Sequence, residues 1–304
     1  MVSLITGAAG MMGAHLYEYL LDEGKEVIPT FYSPTLDERD SILKKMKGCG
    51  HMMDLTDLNQ VKYVLHRWKP SVIYHLAAQS RPDVSWNKPE LTFEVNLMGT
   101  LNLLKACASI ENYKPKIINA SSSAVYGDID WMNPPNESSF TKPMSPYGTS
   151  KLAQEHLVRH YHQLGHIDYV NVRIFNCTGP RKVNDFISDM CRRVVNQQYP
   201  LRVGNLETKR SIVDVRDLVR GLYLAKKLND DTINLGSSIV YEMKEVFEMI
   251  AGDSPYYVDE ALIRPADEAI IYGNINKAES LLGWQPKIAI EETIEDTIDY
   301  WNSL

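Results

Sequence analysis

Tyr147 and Lys151 stand four residues apart in the run Met144-Ser145-Pro146-Tyr147-Gly148-Thr149-Ser150-Lys151. Ser145 has the side chain of a helix N-cap and Pro146 suits the first helical position, so the spacing sets phenol and ammonium side by side on one helix face. A phenol with an ordinary pKa near ~10 is a poor base at neutral pH, and an adjacent ammonium favours its phenolate. Such a pair brings proton exchange with a sugar or alcohol oxygen within reach. A solvated surface pair has the same spacing. What points to chemistry is Ala120-Ser121-Ser122-Ser123-Ala124-Val125-Tyr126-Gly127, which continues the apolar run Lys116-Ile117-Ile118-Asn119-Ala120. Hydroxyls at the carboxyl end of a buried strand face the crevice in which open α/β sheets bind ligands. A serine there can bond a reacting oxygen and relay its proton.

A second group of residues is suited to holding a phosphate. Gly7, Gly10 and Gly13 lie in Leu4-Ile5-Thr6-Gly7-Ala8-Ala9-Gly10-Met11-Met12-Gly13-Ala14-His15, between a strand-like run and a helical one. Glycines permit a tight turn and a close approach of backbone to pyrophosphate, and the helix N-terminus offers unpaired N–H groups. The spacing G-x-x-G-x-x-G is one residue longer than the commonest dinucleotide fingerprint, and its place at the first crossover carries the reading. The second strand candidate, Val27-Ile28-Pro29-Thr30-Phe31-Tyr32-Ser33, lacks the terminal acid that would accept a bond from a free ribose 2′-hydroxyl. NADP is therefore expected ahead of NAD, with Tyr32 and Ser33 as phosphate contacts. Asp54-Leu55 closes a short third strand, where Asp54 either meets the adenine amino group or caps the helix that begins near Asp57.

These residues need a scaffold, and the chain alternates short apolar runs with helical patterns. Val2–Thr6, Val27–Thr30, Val72–Leu76, Lys116–Ala120 and Tyr169–Arg173 read as strands, and the lack of polar alternation in 72–76 and 116–120 suits parallel strands covered on both faces. Helices are expected at Met12–Glu23 with Gly24 as C-cap, at Asp57–Trp68, from about Asn87 to Ile110, and over Tyr147–Leu164. The fold class is α/β, a Rossmann-type doubly wound parallel sheet with a smaller C-terminal substrate domain. The expected dinucleotide-binding domain is 1–175 plus about 211–236, where strand, helix and strand return to the large sheet. The substrate-binding domain is 176–210 and 237–304.

Composition narrows the classes. The 304 residues are 44% hydrophobic and 23% charged, enough for a large core, which excludes a disordered chain or a disulfide-stapled miniprotein. Lys+Arg 32 against Asp+Glu 39 gives a net charge of −7 without a basic stripe, so no nucleic-acid partner is expected. Cys49, Cys107, Cys177 and Cys191 are scattered without metal-ligand spacing, so reduced thiols, no metal and a cytoplasmic setting are expected. The chain opens on a strand-like run instead of a charged leader, and no apolar run reaches the roughly 18 residues of a membrane span.

Taken together, the glycine turn, Asp54-Leu55, Leu76-Ala77-Ala78, the serine run and Tyr147-x-x-x-Lys151 resemble an extended short-chain dehydrogenase/reductase, the family of nucleotide-sugar epimerases, dehydratases and reductases. Arg173-Ile174-Phe175-Asn176, the stretch Val203 to Asp217, Ile263-Arg264-Pro265-Ala266-Asp267 and Leu282-Gly283-Trp284-Gln285-Pro286 are similar to the branch that holds GDP-mannose 4,6-dehydratase and GDP-4-keto-6-deoxymannose reductase. The resemblance implies catalytic roles for Ser122, Tyr147 and Lys151. It implies cofactor contacts at Gly7, Gly10, Met11, Met12, Gly13, Asp54, Leu55, Leu76, Ala77, Ala78, Tyr147 and Lys151, and substrate contacts at Ser122, Asn176, Arg210 and Arg264. It further implies a homodimer formed through the helices of 87–110 and 147–164. One departure matters: the dehydratases carry a Glu two residues after the catalytic hydroxyl, and this chain has Ala124, whose methyl cannot act as a base. Reduction of a GDP-linked 4-keto-6-deoxy hexose is thus expected ahead of 4-epimerisation, which the serine run also resembles, and of 4,6-dehydration. The rival from another class is a non-catalytic dinucleotide sensor, whose expected signature is a broken Tyr-x-x-x-Lys; both members are present.

Overall fold

The computed structural model describes residues 2–32, 40–263 and 269–304. Ser33 and Arg264 lie outside the described residues.

Seven parallel strands form one sheet: β1 (Val2–Thr6), β2 (Glu26–Phe31), β3 (His51–Met52), β4 (Val72–His75), β5 (Lys116–Ser122), β6 (Asp168–Ile174) and β7 (Asp231–Leu235). Their order is β7-β6-β5-β4-β1-β2-β3, so the winding reverses between β1 and β4 and opens a crevice at that point. The five expected strands are all present, and β7 joins the edge beside β6 as the strand-helix-strand reading of 211–235 expects. The first strand of that segment, Val213–Asp214, instead pairs with Cys177–Thr178 in a separate ladder.

Successive residues on each strand enter opposite cores. Ile5, Tyr74, Ile118 and Val170 pack on one face with Leu16 and Leu20 of α1 (Met11–Asp22). Their neighbours Leu4, Ile73, Ile117 and Tyr169 pack on the other with Val61 and Leu65 of α2 (Leu58–Trp68), Leu103 of α3 (Gly99–Ala108) and Val158 of α4 (Pro146–Gln163). Leu218 and Leu222 of α5 (Val215–Ala225) join α1 on the first face. Burial on both sides is why these runs carry no polar alternation. Trp284, fully buried, belongs to that first face and donates its indole N–H to the Asp217 carbonyl at 2.9 Å. A further core gathers Ile187, Met190, Val203, Val246, Phe247, Ile290 and Ile294, all from residues beyond 176.

The single helix expected over 87–110 is interrupted. The chain forms Pro82–Asn87 and Pro89–Phe93, then a π-helical turn, Glu94–Met98, that runs into α3. Pro89 lacks the N–H that would continue the first piece. The wider π turn leaves Asn96 buried and pointing at α4, where its Nδ2 donates to Ser150 Oγ at 2.9 Å.

Glu155 and Arg173 tie α4 to the sheet. Their side chains are 2% and 6% exposed, and Arg173 donates twice, Nε to Oε1 at 2.9 Å and Nη2 to Oε2 at 2.8 Å. Ser121 Oγ donates to the same carboxylate at 2.5 Å, and Arg173 Nη1 donates to the Tyr126 hydroxyl at 3.0 Å, which donates to Asn234 Oδ1 at 2.7 Å. β5, β6, β7 and α4 are thereby joined by one buried network. Arg173→Met strands a desolvated carboxylate and is expected to lower the unfolding free energy by about 3–5 kcal/mol in urea titration. A loss below about 1 kcal/mol would show that the pair is dispensable to the fold.

Candidate active site

The carboxyl ends of β1 and β4 lie side by side, Thr6 opposite His75, and β5 runs three residues further to Ser122. The glycine turn follows Thr6. Gly7 sits at φ +69°, and a Cβ there would come within 2.8 Å of the Ala77 Cα. At Gly13 a Cβ would stand 2.3 Å from the Gly7 carbonyl oxygen. These two glycines are required by the protein's own packing. Gly10 differs, because its nearest obstacle is 3.4 Å away and that face of the turn is open. It is also the N-cap of α1, with no side chain capping the first N–H groups, at Met11 and Met12. An open face beside uncapped amides fits an anion such as a dinucleotide pyrophosphate.

Thr6 fixes the other wall of the crevice. Its Oγ1 accepts from the Leu76 and Ala77 amides at 3.1 and 3.0 Å, so its proton goes to His75 Nδ1 at 2.9 Å. His75 Nε2 then donates to Thr100 Oγ1 at 2.8 Å, and Thr100 donates to the Asn96 carbonyl at 2.6 Å. Asn96 Oδ1 accepts from the Gln79 amide at 2.7 Å, which holds the chain just past Ala78. Ser150, bonded by Asn96, donates in turn to the Tyr147 carbonyl at 2.7 Å. His75 is a core histidine, held neutral by burial and then by the Lys151 charge, with its pKa pushed down to about 3.

Ser122, Tyr147 and Lys151 meet at the head of β5. α4 begins as expected, with Ser145 Oγ accepting from the Gly148 amide at 3.0 Å and Pro146 at the first turn. Gly148 lets that turn press on the serine run, since a Cβ would lie 2.5 Å from the Ala124 carbonyl oxygen. Ser122 Oγ accepts from the Ala124 amide at 3.2 Å and is hydrogen-bonded to the buried Tyr147 phenol. The electrostatics differ from expectation. Burial raises the Tyr147 pKa, only partly offset by Ser122. The ammonium one turn along is held from within the protein: Lys151 Nζ donates to the Ala120 carbonyl at 2.8 Å and to Gln154 Oε1 at 3.1 Å. Burial also lowers Lys151 to about 8 against the opposing pull of Glu155.

The remaining expected residues divide. Asp54 accepts from the Thr56 amide and hydroxyl at 2.9 and 2.8 Å, while the cap of α2 is Asp57. Leu55 is buried against Gly99. Tyr32 is 74% exposed beyond β2. Asn176 Nδ2 donates to the Ser211 carbonyl at 3.1 Å, tying the segment after β6 to the one that holds Arg210, whose Nη1 donates to the Lys209 carbonyl at 2.8 Å. Arg181, a cation in the segment after β6, is held by Asp40 at 2.6 Å and Glu18 at 2.9 Å. Thr6, Asn96 and Gln154 support the site although the motifs do not single them out; the signal they offer is a polar residue inside an otherwise buried run.

The chain is similar to known proteins over nearly its whole length. The family model for GDP-mannose 4,6 dehydratase matches residues 4–297. The chain is 29% identical to the GDP-mannose 4,6 dehydratase of Cricetulus griseus, covering 98% of this chain and 90% of that protein. It is also 29% identical to a UDP-glucuronate 4-epimerase of Thermodesulfobacterium geofontis, over 98% of this chain and 95% of that one. Among solved structures, UDP-glucose 4-epimerase of Thermus thermophilus in complex with NAD superposes with a TM-score of 0.89 at 30% identity, covering 99% of both chains.

Two outcomes follow from the geometry. Gly10→Val fills the open face of the turn and is expected to weaken dinucleotide binding about 100-fold or more by calorimetry while leaving the melting temperature near wild type. His75 and His15, with pKa values pushed down to about 3 and about 4, are neutral in the folded protein. Unfolding below the ordinary value of about 6.5 therefore takes up protons, and stability falls as pH drops, by about 1.4 kcal/mol per pH unit for each histidine. His75→Gln should remove one proton from that uptake, read from the slope of urea-unfolding free energy between about pH 4.5 and 6.

Proposed function

The chain belongs to the GDP-mannose 4,6-dehydratase family of extended short-chain dehydrogenases/reductases, NAD(P)-dependent enzymes that act on nucleotide sugars, and from that premise we propose that it is a reductase of a GDP-linked 4-keto-6-deoxy hexose. The observation that carries the reading is a buried phenol, Tyr147, bonded to Ser122, with Ala124 in the place where a dehydratase would hold its base. A nicotinamide bound in the crevice supplies the hydride for carbon 4. Tyr147, kept protonated by burial, donates its proton to the carbonyl oxygen, which is the direction a raised pKa favours. Ser122 holds that oxygen in line and bonds the phenolate left behind. Lys151 keeps a positive charge beside it and offers an N–H to the nicotinamide ribose. Asn176, Arg210 and Arg264 are the groups assigned to the diphosphate, a task that suits arginine's fork of donors. NADP is proposed ahead of NAD because β2 ends at Phe31 without an acid.

A second reading, 4-epimerisation, draws on the likeness to UDP-glucuronate 4-epimerase. The same three side chains would serve, with hydride withdrawn and returned to opposite faces of the sugar. The proposed assembly is a homodimer through the helical stretch 89–108 and α4, which pack beside each other, with Leu91 and Met98 41% and 45% exposed.

With NADPH and GDP-4-keto-6-deoxymannose, cofactor absorbance is expected to fall on mixing. No turnover there, joined to epimerisation of a UDP- or GDP-hexose, would replace the first reading by the second. Tyr147→Phe is expected to lower kcat/KM by about 10²–10⁴-fold while sparing cofactor affinity, and a variant retaining more than about a tenth of the activity would remove the phenol from its role. Ala124→Glu is expected to bring measurable consumption of GDP-mannose.

A further inference from the structure

A string of buried amides leads away from Lys151. Lys151 Nζ donates to Gln154 Oε1 at 3.1 Å, Gln154 Nε2 donates to Asn119 Oδ1 at 2.7 Å, and Asn119 Nδ2 donates to Asn171 Oδ1 at 2.8 Å. Asn171 Nδ2, at the far end, is buried with no partner among the described residues. Gln154, Asn119 and Asn171 are each 0% exposed. The order of the string follows from one fact: an ammonium can only donate. Each amide must turn its carbonyl toward Lys151 and its NH₂ away, and the last NH₂ is left without an acceptor. Three aligned amide dipoles thus present their negative ends to the charge, and an unmet donor in the core is the mark of that alignment.

From this string we infer that Gln154 is a positioning residue, which acts through Lys151 by holding its ammonium charged and fixed at the head of β5. Ala120 and Gln154 take two of the three ammonium protons and leave the third without a partner among the described residues. The other titratable and charged groups facing Lys151 are Glu155 and Tyr147 on its own helix, His75 on β4, which is neutral, and Arg173 on β6, which is bound to Glu155. Glu155 is committed to that ion pair and to Ser121, so Gln154 is the side-chain acceptor on Nζ itself.

The inference rests on the reading of Lys151 as a cofactor-holding group, and its test separates the two. The titration of Lys151, about 8 in the wild type, is followed through its ¹³Cε resonance in lysine-labelled protein without cofactor, and NADP⁺ and NAD⁺ affinities are measured by calorimetry. Gln154→Leu removes the acceptor, and the midpoint should fall by about one pH unit. Cofactor affinity should then weaken about five-fold at about pH 8, where the charged fraction drops, and stay unchanged at about pH 6. Gln154→Glu supplies a charged acceptor, lets Asn119 and Asn171 reverse together so that Asn171 Nδ2 donates to Asn119 Oδ1, and should raise the midpoint by about one unit. Should the leucine variant fail to fold, the glutamate variant carries the test alone. Midpoints within about 0.2 unit of wild type, or affinity lost equally at both pH values, overturn the inference, since a purely structural role predicts that result. Lys151→Met binding either dinucleotide as the wild type does would overturn the reading of Lys151 instead.

Discussion

The buried pair of Glu155 and Arg173 decides how α4 lies against the sheet. Two charges removed from water are held because most of the lone pairs and donors around them are used: a bidentate contact, the Ser121 hydroxyl, the Tyr126 hydroxyl and the Glu137 carbonyl. Such a network has one satisfied arrangement. It therefore fixes the rotation of α4 about its own axis, and the helix face at 147, 151, 154, 155 and 158 is the one that turns inward. The groups that would exchange a proton and bind a cofactor are placed by an ion pair that touches neither.

Burial then sets their charge states. For the phenol, loss of water outweighs the bond from Ser122; for the ammonium, it outweighs the attraction of Glu155. Both are drawn toward their neutral forms, so the site holds a proton on oxygen and keeps its cation only with the help of a carbonyl and an amide. This balance suits giving a proton to a carbonyl more than taking one from an alcohol. The same crevice carries no acid at 124, and that absence acts in the same direction as the proton balance.

Much of this is legible in the sequence wherever the cause is local. A strand that ends in a glycine turn, a proline at a helix start, and a tyrosine and lysine one turn apart are each specified within about a dozen residues. The strands are recognisable because burial on both faces removes polar alternation. What escapes are relations between distant segments. Nothing near Lys151 tells that its ammonium bonds Ala120 and Gln154. Asn119 and Asn171 read as interruptions of apolar strands, and only their pairing across β5 and β6 at 2.8 Å gives them a purpose. The break in the long helix is hidden because a π turn depends on what its inward residue finds, here Gln79 and Ser150, and that is set by tertiary contact.

At Gly7 and Gly13 the glycine turn is wedged against the Ala77 backbone and against its own first residues, while its face at Gly10 stays open. If the turn holds the cofactor as proposed, its amides would be aimed before a nucleotide arrives. Ordering a loop is a frequent tax on affinity, and here it was settled during folding, so association should be fast and governed by stripping water from the phosphates. A rigid receptor of this kind also reads shape strictly: it has little freedom to adapt to a diphosphate held at a different angle.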